Sequence, residues 1–171
     1  MKISYAVTVC NEHKEITKLL TFLFEHKRLQ DQVVVQMDFD NSTPEVVQAC
    51  ERWESKSAEE YKLIQHKLDK NFAQYKNNLN KNCDGDWIFQ IDADEIPNEY
   101  LIEALPFILE ANDETEAFWV PLNLQICQQK NHILYIIQKI LEDKKRKMHF
   151  MIQYENRASR NCRISSLATI M

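Results

Sequence analysis

Two aspartates separated by one residue, Asp92 and Asp94, follow directly after an apolar run and carry the clearest chemistry of this sequence. Carboxylate oxygens are hard ligands that suit Mg²⁺ or Mn²⁺. A divalent cation held there would bridge the oxygens of a diphosphate and neutralise the charge that develops on it as a leaving group. The spacing therefore makes Asp92 and Asp94 candidate metal ligands of a group-transfer site.

Two plainer interpretations of the same residues stay open. Asp92, Asp94 and Glu95 precede Ile96 and Pro97, and acidic residues at such a place stabilise the N-terminus of a following helix. A calcium loop is the other alternative, but the glycine of the EF-hand pattern is missing and the ligand spacing stops after Glu95. An Asp-x-Asp pair alone is common, so its context must decide.

Glycine is nearly absent, since Gly85 is the single glycine among 171 residues. An average chain contains about 7% glycine. The dinucleotide-binding turn and the phosphate-binding Walker loop both need several glycines that let the backbone approach phosphates, so neither can form here. If the protein binds a nucleotide, side chains, ordinary loops or a metal must hold it.

Composition favours one globular domain, with 44% hydrophobic and 27% charged residues. The net charge of −5 is the wrong sign for a nucleic-acid-binding protein. Five widely spaced cysteines without a Cys-x-x-Cys pair argue against a disulfide framework, and no apolar stretch approaches the ~18 residues of a membrane span. We therefore expect a cytoplasmic protein with no nucleic-acid partner and no membrane span.

Strand and helix patterns alternate along the first 120 residues. Apolar alternation and β-branched runs predict strands at 3–9, 33–35, 61–65, 87–91 and 117–120. Apolar faces at helical spacing predict helices at 13–28, from 44, around 72–79, at 100–109 and from about 132. This order is typical of an α/β fold with a mostly parallel central sheet flanked by helices.

Polar residues follow three of the predicted strands at the points where they end. They are Asn11 and Glu12 after the first strand, Asp38 after the second, and Asp92 and Asp94 after the fourth. Right-handed crossovers bring the carboxyl ends of parallel strands to one edge of the sheet, where ligands bind in such folds. This context favours a binding site over a simple helix cap.

Four segments, in this order and spacing, resemble the family-two glycosyltransferases of the GT-A fold. They are VTVCNE at 7–12, VVVQMD at 33–38, NFAQYKN at 71–77 and GDWIFQIDADEIP at 85–97. The resemblance covers about residues 3–121. It implies a GT-A-like fold whose residues 1–121 bind a nucleotide-sugar donor, with uridine diphosphate as the nucleotide and Mn²⁺ or Mg²⁺ as the cofactor.

The resemblance also assigns roles to the first two segments. Thr8, Val9, Asn11 and Glu12 correspond to the loop that meets the base and ribose of the donor. Asp38 corresponds to the carboxylate that reads the uracil edge. Plainer roles stay open for two of these residues, because Glu12 could cap the first helix and Asp38 could cap the turn before the second.

The last two segments correspond to the diphosphate side of the donor site. Lys76 matches the basic position of the helix beside the nucleotide, although most lysines on helices are simply solvated. Asp92, Ala93 and Asp94 match the donor motif, with Asp94 as the direct metal ligand and Asp92 nearer the ribose.

Residues 122–171 depart from the family pattern. Leu122 stands where relatives usually have arginine, and His149 is followed by Phe150 rather than by the glutamate of a His-Glu pair. Glu142 and Asp143 lie at the charged end of a predicted helix, which favours solvation over the role of general base. We therefore expect a helical, diverged or truncated acceptor-side segment of the same domain, an incomplete acceptor half, and no identifiable catalytic base.

Two functions of different class remain open from the sequence. The first is a metal-dependent transferase that moves a sugar from a nucleoside diphosphate to an acceptor, which can be a glycan, a lipid or a protein. The second is a shortened relative that keeps the nucleotide-binding half and acts as a non-catalytic binding or interaction module.

Overall fold

Strands and helices alternate along the chain in the computed structural model, which describes residues 1–112, 117–120 and 150–154. The elements in chain order are β1 (Ile3–Val9), α1 (His13–His26), β2 (Gln32–Asp38), α2 (Pro44–Lys56), β3 (Tyr61–His66), α3 (Phe72–Lys81), β4 (Trp87–Asp92), α4 (Glu99–Glu110), β5 (Ala117–Val120) and β6 (Phe150–Tyr154).

The strands form one sheet in the order β3-β2-β1-β4-β6-β5. Strands β3, β2, β1 and β4 are parallel, whereas β6 runs antiparallel to both β4 and β5. The central strand β1 places Thr8 opposite Gln36 of β2 and opposite Asp92 of β4. The predicted α/β fold with a mostly parallel sheet is confirmed, and the carboxyl ends of its parallel strands share one edge.

The hydrophobic core follows the sequence patterns closely. Every residue of β2 is buried, as its β-branched run predicts for a strand covered on both faces. The four apolar residues of α1 at helical spacing, Ile16, Leu19, Leu20 and Leu23, are fully buried. Helix α1 ends at His26, two residues before its predicted end, because Lys27 adopts an extended backbone.

Two features differ from the sequence prediction or lie beyond it. Phe72 was predicted on the apolar face of α3, but it is 67% exposed because it is the first residue of the helix and lies at the carboxyl ends of the strands. Tyr75 and Leu79 of the same face are buried. Strand β6 was not predicted: it lies in the segment 122–171 that was expected to be helical, although its residues are mostly apolar or aromatic, as is usual in strands. The helix predicted from about residue 132 lies outside the described residues, and the division at residue 121 stays a prediction.

The single glycine lies where the turn before β4 passes directly over β1. The Gly85 amide donates to Ser4 Oγ over 2.8 Å, and Gln32 Nε2 donates to the same oxygen over 2.7 Å. A Cβ atom at position 85 would stand 2.6 Å from Ser4 Oγ and 2.7 Å from the Ser4 amide nitrogen. Close approach of two backbones therefore explains why glycine is present here.

Among the residues that the structure describes, no helix is both long enough and apolar enough to cross a membrane.

Candidate functional site

A cleft of about 260 Å³ opens at the carboxyl ends of β1, β2 and β4. Seven of the nine predicted site residues line it, namely Thr8, Val9, Glu12, Asp38, Asp92, Ala93 and Asp94. A larger groove of about 880 Å³ between α1 and α2 contains none of the nine. The structure therefore brings the predicted site together at the edge where ligands bind in parallel sheets.

The Asp92 carboxylate is held by two neighbours. Its Oδ1 accepts hydrogen bonds from Thr8 Oγ1 and from Lys76 Nζ, each over 2.5 Å. Lys76 Nζ also donates to Thr8 Oγ1 over 3.1 Å, so the three groups contact one another. Lys76 is thus an ion-pair partner of the acidic motif rather than a freely solvated helix residue.

The electrostatics of Asp92 follow from this contact. Partial burial raises the pKa of Asp92, but the charge of Lys76 and the hydrogen bonds from Lys76 and Thr8 outweigh it, so the pKa of this carboxyl lies below its usual value. Asp92 is therefore ionised throughout the physiological pH range. The Asp92 side chain remains 55% exposed and the Lys76 side chain 25% exposed, so a ligand can reach the pair.

Residues 92–95 form a tight turn that projects Asp94. The Glu95 amide donates to the Asp92 carbonyl over 2.9 Å, and the Glu95 carboxylate accepts from the Asp92 amide over 3.1 Å. Ala93 is buried and its amide donates to the Thr8 carbonyl over 3.0 Å. Asp94 is exposed at the turn, and no hydrogen bond or ion pair within the described residues holds its carboxylate.

The alternative that these acidic residues cap the next helix is wrong. Helix α4 begins at Glu99, and its cap is Asn98, whose side-chain oxygen accepts from the Tyr100 amide over 2.9 Å. Three residues separate Glu95 from the start of that helix. The acidic turn is a separate feature that faces the cleft.

The donor set of the turn fits a cation that is shared with a substrate. No group of three His, Cys, Asp or Glu side chains in the described part of the chain is placed to hold a metal. Mg²⁺ is commonly held by one or two carboxylates together with substrate phosphates, and Asp94 offers one such carboxylate. Asp92 can serve as the second only where its ion pair with Lys76 is opened.

Asp38 lies at the floor of the cleft and is 3% exposed. Its Oδ2 accepts from Asn41 Nδ2 over 2.8 Å, and its Oδ1 accepts from the Leu68 amide over 3.2 Å. Its carbonyl accepts from Ser42, so Asp38 does organise the turn that precedes α2. A carboxylate has about four acceptor positions, which leaves capacity for a donor on a ligand.

Glu12 stabilises the loop after β1 instead of capping α1. It occupies the N-cap position, but its side chain makes no capping hydrogen bond. Glu12 Oε2 accepts from the Cys10 and Asn11 amides, each over 2.9 Å. Asn11 contributes its main chain to this loop and does not line the cleft.

The sequence prediction missed four residues of the cleft wall: Cys10, Leu68, Phe72 and Tyr75. Tyr75 connects α3 to β2, because its hydroxyl donates to the Gln36 carbonyl over 3.2 Å and its own carbonyl accepts from Gln36 Nε2 over 2.7 Å. Burial, with Asp38 and Glu12 nearby, raises the pKa of the Cys10 thiol. The helical spacing of Phe72 and Tyr75 with Lys76 is the signal by which these wall residues could have been found.

The parallel α/β sheet with flanking helices matches the fold of the GT-A glycosyltransferases. The model of glycosyl transferase family 2 matches residues 4–157, and the chain belongs to this family. A search of curated proteins gives no match.

Solved structures show the same fold. The mannosyltransferase PcManGT from Pyrobaculum calidifontis, in complex with GDP-Man and Mn²⁺, matches at a TM-score of 0.62 and 18% identity, over 89% of this chain and 44% of that chain. S. aureus TarS 1-349 in complex with UDP matches at a TM-score of 0.57 and 23% identity, over 75% and 38%. The chain thus spans less than half the length of these relatives.

Proposed function

We propose that this chain carries the donor-binding region of a metal-dependent glycosyltransferase, which moves a sugar from uridine diphosphate to an acceptor. The observation that carries the proposal is the turn that presents Asp94 in the same cleft as Asp38, beside the Lys76–Asp92 pair. A carboxylate at the cleft floor suits the N–H group of uracil, and the acidic turn suits a cation shared with a diphosphate.

The chain's own residues divide the work of binding. Asp38 would accept a hydrogen bond from the base, Thr8 and Val9 would contact the ribose, and Asp94 would hold the cation. A divalent cation, when bound, supplies charge neutralisation to the departing diphosphate. An acceptor hydroxyl also needs a general base, and most of the acceptor-side segment 122–171 lies outside the described residues.

The relatives and the thiols support the finer parts of the proposal. TarS is described with UDP and PcManGT with GDP-Man and Mn²⁺, so relatives of this fold bind nucleotides with different bases. The cytoplasmic location stays part of the proposal on the ground of the sequence, whose five widely spaced cysteines include no Cys-x-x-Cys pair.

Isothermal titration with uridine diphosphate tests the proposal directly. We expect a dissociation constant between about 1 µM and 1 mM with Mn²⁺ present, the range usual for enzyme substrates, and binding at least about tenfold weaker with a chelator. Release of uridine diphosphate from UDP-sugars then tests transfer or hydrolysis. The proposal is contradicted if uridine diphosphate does not bind, or if its affinity is the same with and without Mn²⁺. Binding of uridine diphosphate without its release from any UDP-sugar supports the shortened, non-catalytic relative.

Asp38→Asn is expected to weaken uridine diphosphate binding about tenfold to a hundredfold, because a hydrogen bond to a charged group contributes about 1.5–3 kcal/mol. The measurement is the same titration at saturating Mn²⁺. Asp40→Asn is the matched control, since Asp40 lies two residues away and pairs with Lys67 on the surface. Equal affinities of the two variants for uridine diphosphate would show that Asp38 does not bind the base.

A further inference from the structure

The Lys76–Asp92 pair changes the charge that the acidic turn presents. Lys76 Nζ and Thr8 Oγ1 both donate to Asp92 Oδ1, whereas no described residue holds the Asp94 carboxylate. The ammonium neutralises Asp92, so of the two aspartates of the Asp-x-Asp pair an approaching cation meets only Asp94 uncompensated. A divalent cation that recruits Asp92 must also work against the positive charge of Lys76 at short range.

The same pair is open to exchange by a ligand. Both side chains are partly exposed, and exposed ion pairs are weak because water screens them. The diphosphate of a nucleotide carries several negative charges, and these compete with Asp92 for the ammonium. A nucleotide therefore supplies oxygen ligands for the cation and at the same time draws Lys76 from Asp92.

The position of Lys76 is set by the fold. The preceding residue, Tyr75, is 4% exposed and bonds to Gln36 through both its hydroxyl and its carbonyl. On the sheet side, β1 and β4 place Thr8 opposite Asp92. The contact between the Lys76 ammonium and the acidic turn is therefore fixed by helix α3 on one side and by the pairing of β1 with β4 on the other. This distinguishes it from a chance pair of surface side chains.

From this geometry we propose that Lys76 is an internal counter-cation, meaning a side chain that occupies Asp92 until the nucleotide arrives. It keeps the acidic turn from binding a free divalent cation and so makes metal binding depend on the nucleotide. This inference rests on the proposed function of the cleft. Because coupling between two ligands is reciprocal, Mn²⁺ and uridine diphosphate then raise each other's affinity by the same factor.

Titration with Mn²⁺ alone tests the proposal without measuring activity. Electron paramagnetic resonance of the free ion measures how much Mn²⁺ is bound at each step. We expect half-saturation of the unmodified protein above about 1 mM, as for a site with few charged ligands. In Lys76→Met, Asp92 is freed and a nearby positive charge is removed, so Mn²⁺ should bind at least about tenfold more tightly. Uridine diphosphate should then raise Mn²⁺ affinity less in the variant than in the unmodified protein.

Two further variants keep the test decisive. Lys67→Met removes a lysine whose partner is Asp40, also beyond the carboxyl ends of the strands, and should leave Mn²⁺ affinity unchanged. Lys76→Arg retains the positive charge and should keep weak Mn²⁺ binding. Tight Mn²⁺ binding by the unmodified protein, or equal shifts in Lys76→Met and Lys67→Met, would overturn the counter-cation role.

The two proposals fail separately. If uridine diphosphate does not bind at saturating Mn²⁺, the donor site itself is refuted. If it binds but Lys76→Met has the Mn²⁺ affinity of the unmodified protein, the donor site stands and only the role of Lys76 is refuted. Lys76→Gln, checked by circular dichroism, provides a second neutral variant in case Lys76→Met does not fold.

Discussion

Asp94→Asn is expected to lower Mn²⁺-dependent release of uridine diphosphate from a UDP-sugar at least about a hundredfold, comparable to the loss of one stabilising group in other enzyme sites. The amide keeps the size and the exposure of the side chain but removes its charge. Since Asp94 has no hydrogen-bond or ion-pair partner within the described residues, the free energy of unfolding should hardly change. The lower rate should therefore result from weaker cation binding alone.

Initial rates at several Mn²⁺ concentrations measure this effect, with the free energy of unfolding determined in parallel. Asp84→Asn is the matched control, because Asp84 is an exposed aspartate before the opposite end of β4, where it pairs with Lys2. Its rates should equal those of the unmodified protein. A variant at position 94 that retains its Mn²⁺-dependent rate would exclude Asp94 as the metal ligand.

Gly85→Ala is expected to destabilise the protein by about 1–3 kcal/mol or more, the usual cost of forcing extra atoms into a packed site. The added methyl group would stand 2.6 Å from Ser4 Oγ, 2.7 Å from the Ser4 amide nitrogen and 3.0 Å from the Ile3 carbonyl carbon. A flexible side chain could move away, but two of these three atoms belong to the backbone of the central strand. The turn before β4 must shift instead.

Urea denaturation measures the change in the free energy of unfolding. Asp84→Ala, one residue earlier in the same turn, removes an exposed ion pair and should cost less than about 1 kcal/mol. Adding Ser4→Ala to Gly85→Ala should not restore stability, because the Ser4 amide remains in place. A loss below about 0.5 kcal/mol for Gly85→Ala would show that the turn yields easily, contrary to this account.

The sequence predicts the parallel core well because that core depends on local patterns. The β-branched run of β2 and the apolar spacing of α1 leave few other ways to bury these residues. Strand β6 was missed because a short, mostly apolar run such as Phe150–Tyr154 does not show by itself whether it forms a strand or part of a helix; its pairing with β4 settles this.

The site was predictable to the extent that it follows strand ends. Asp38 and the acidic turn line one cleft, as expected when parallel strands deliver their carboxyl ends to one edge, while their binding roles stay a prediction. The contact of Lys76 with Asp92 was not predictable, since it requires the register of β1 against β4 and the position of α3 over β2. The hydrogen bond from the Cys10 amide to the Glu12 carboxylate likewise depends on backbone geometry that the composition does not reveal.

The register that places Thr8 opposite Asp92 joins residues 84 positions apart in the chain. Neither β1 with its loop nor the neighbouring β2 with Asp38 contains the whole of the proposed donor site by itself. Non-local pairing of this kind pays its loop-closure entropy before any contact is gained and is slow compared with helix formation. During synthesis, the proposed donor site can therefore assemble only after β4 has left the ribosome and paired with β1, so any nucleotide binding would report that this pairing has formed.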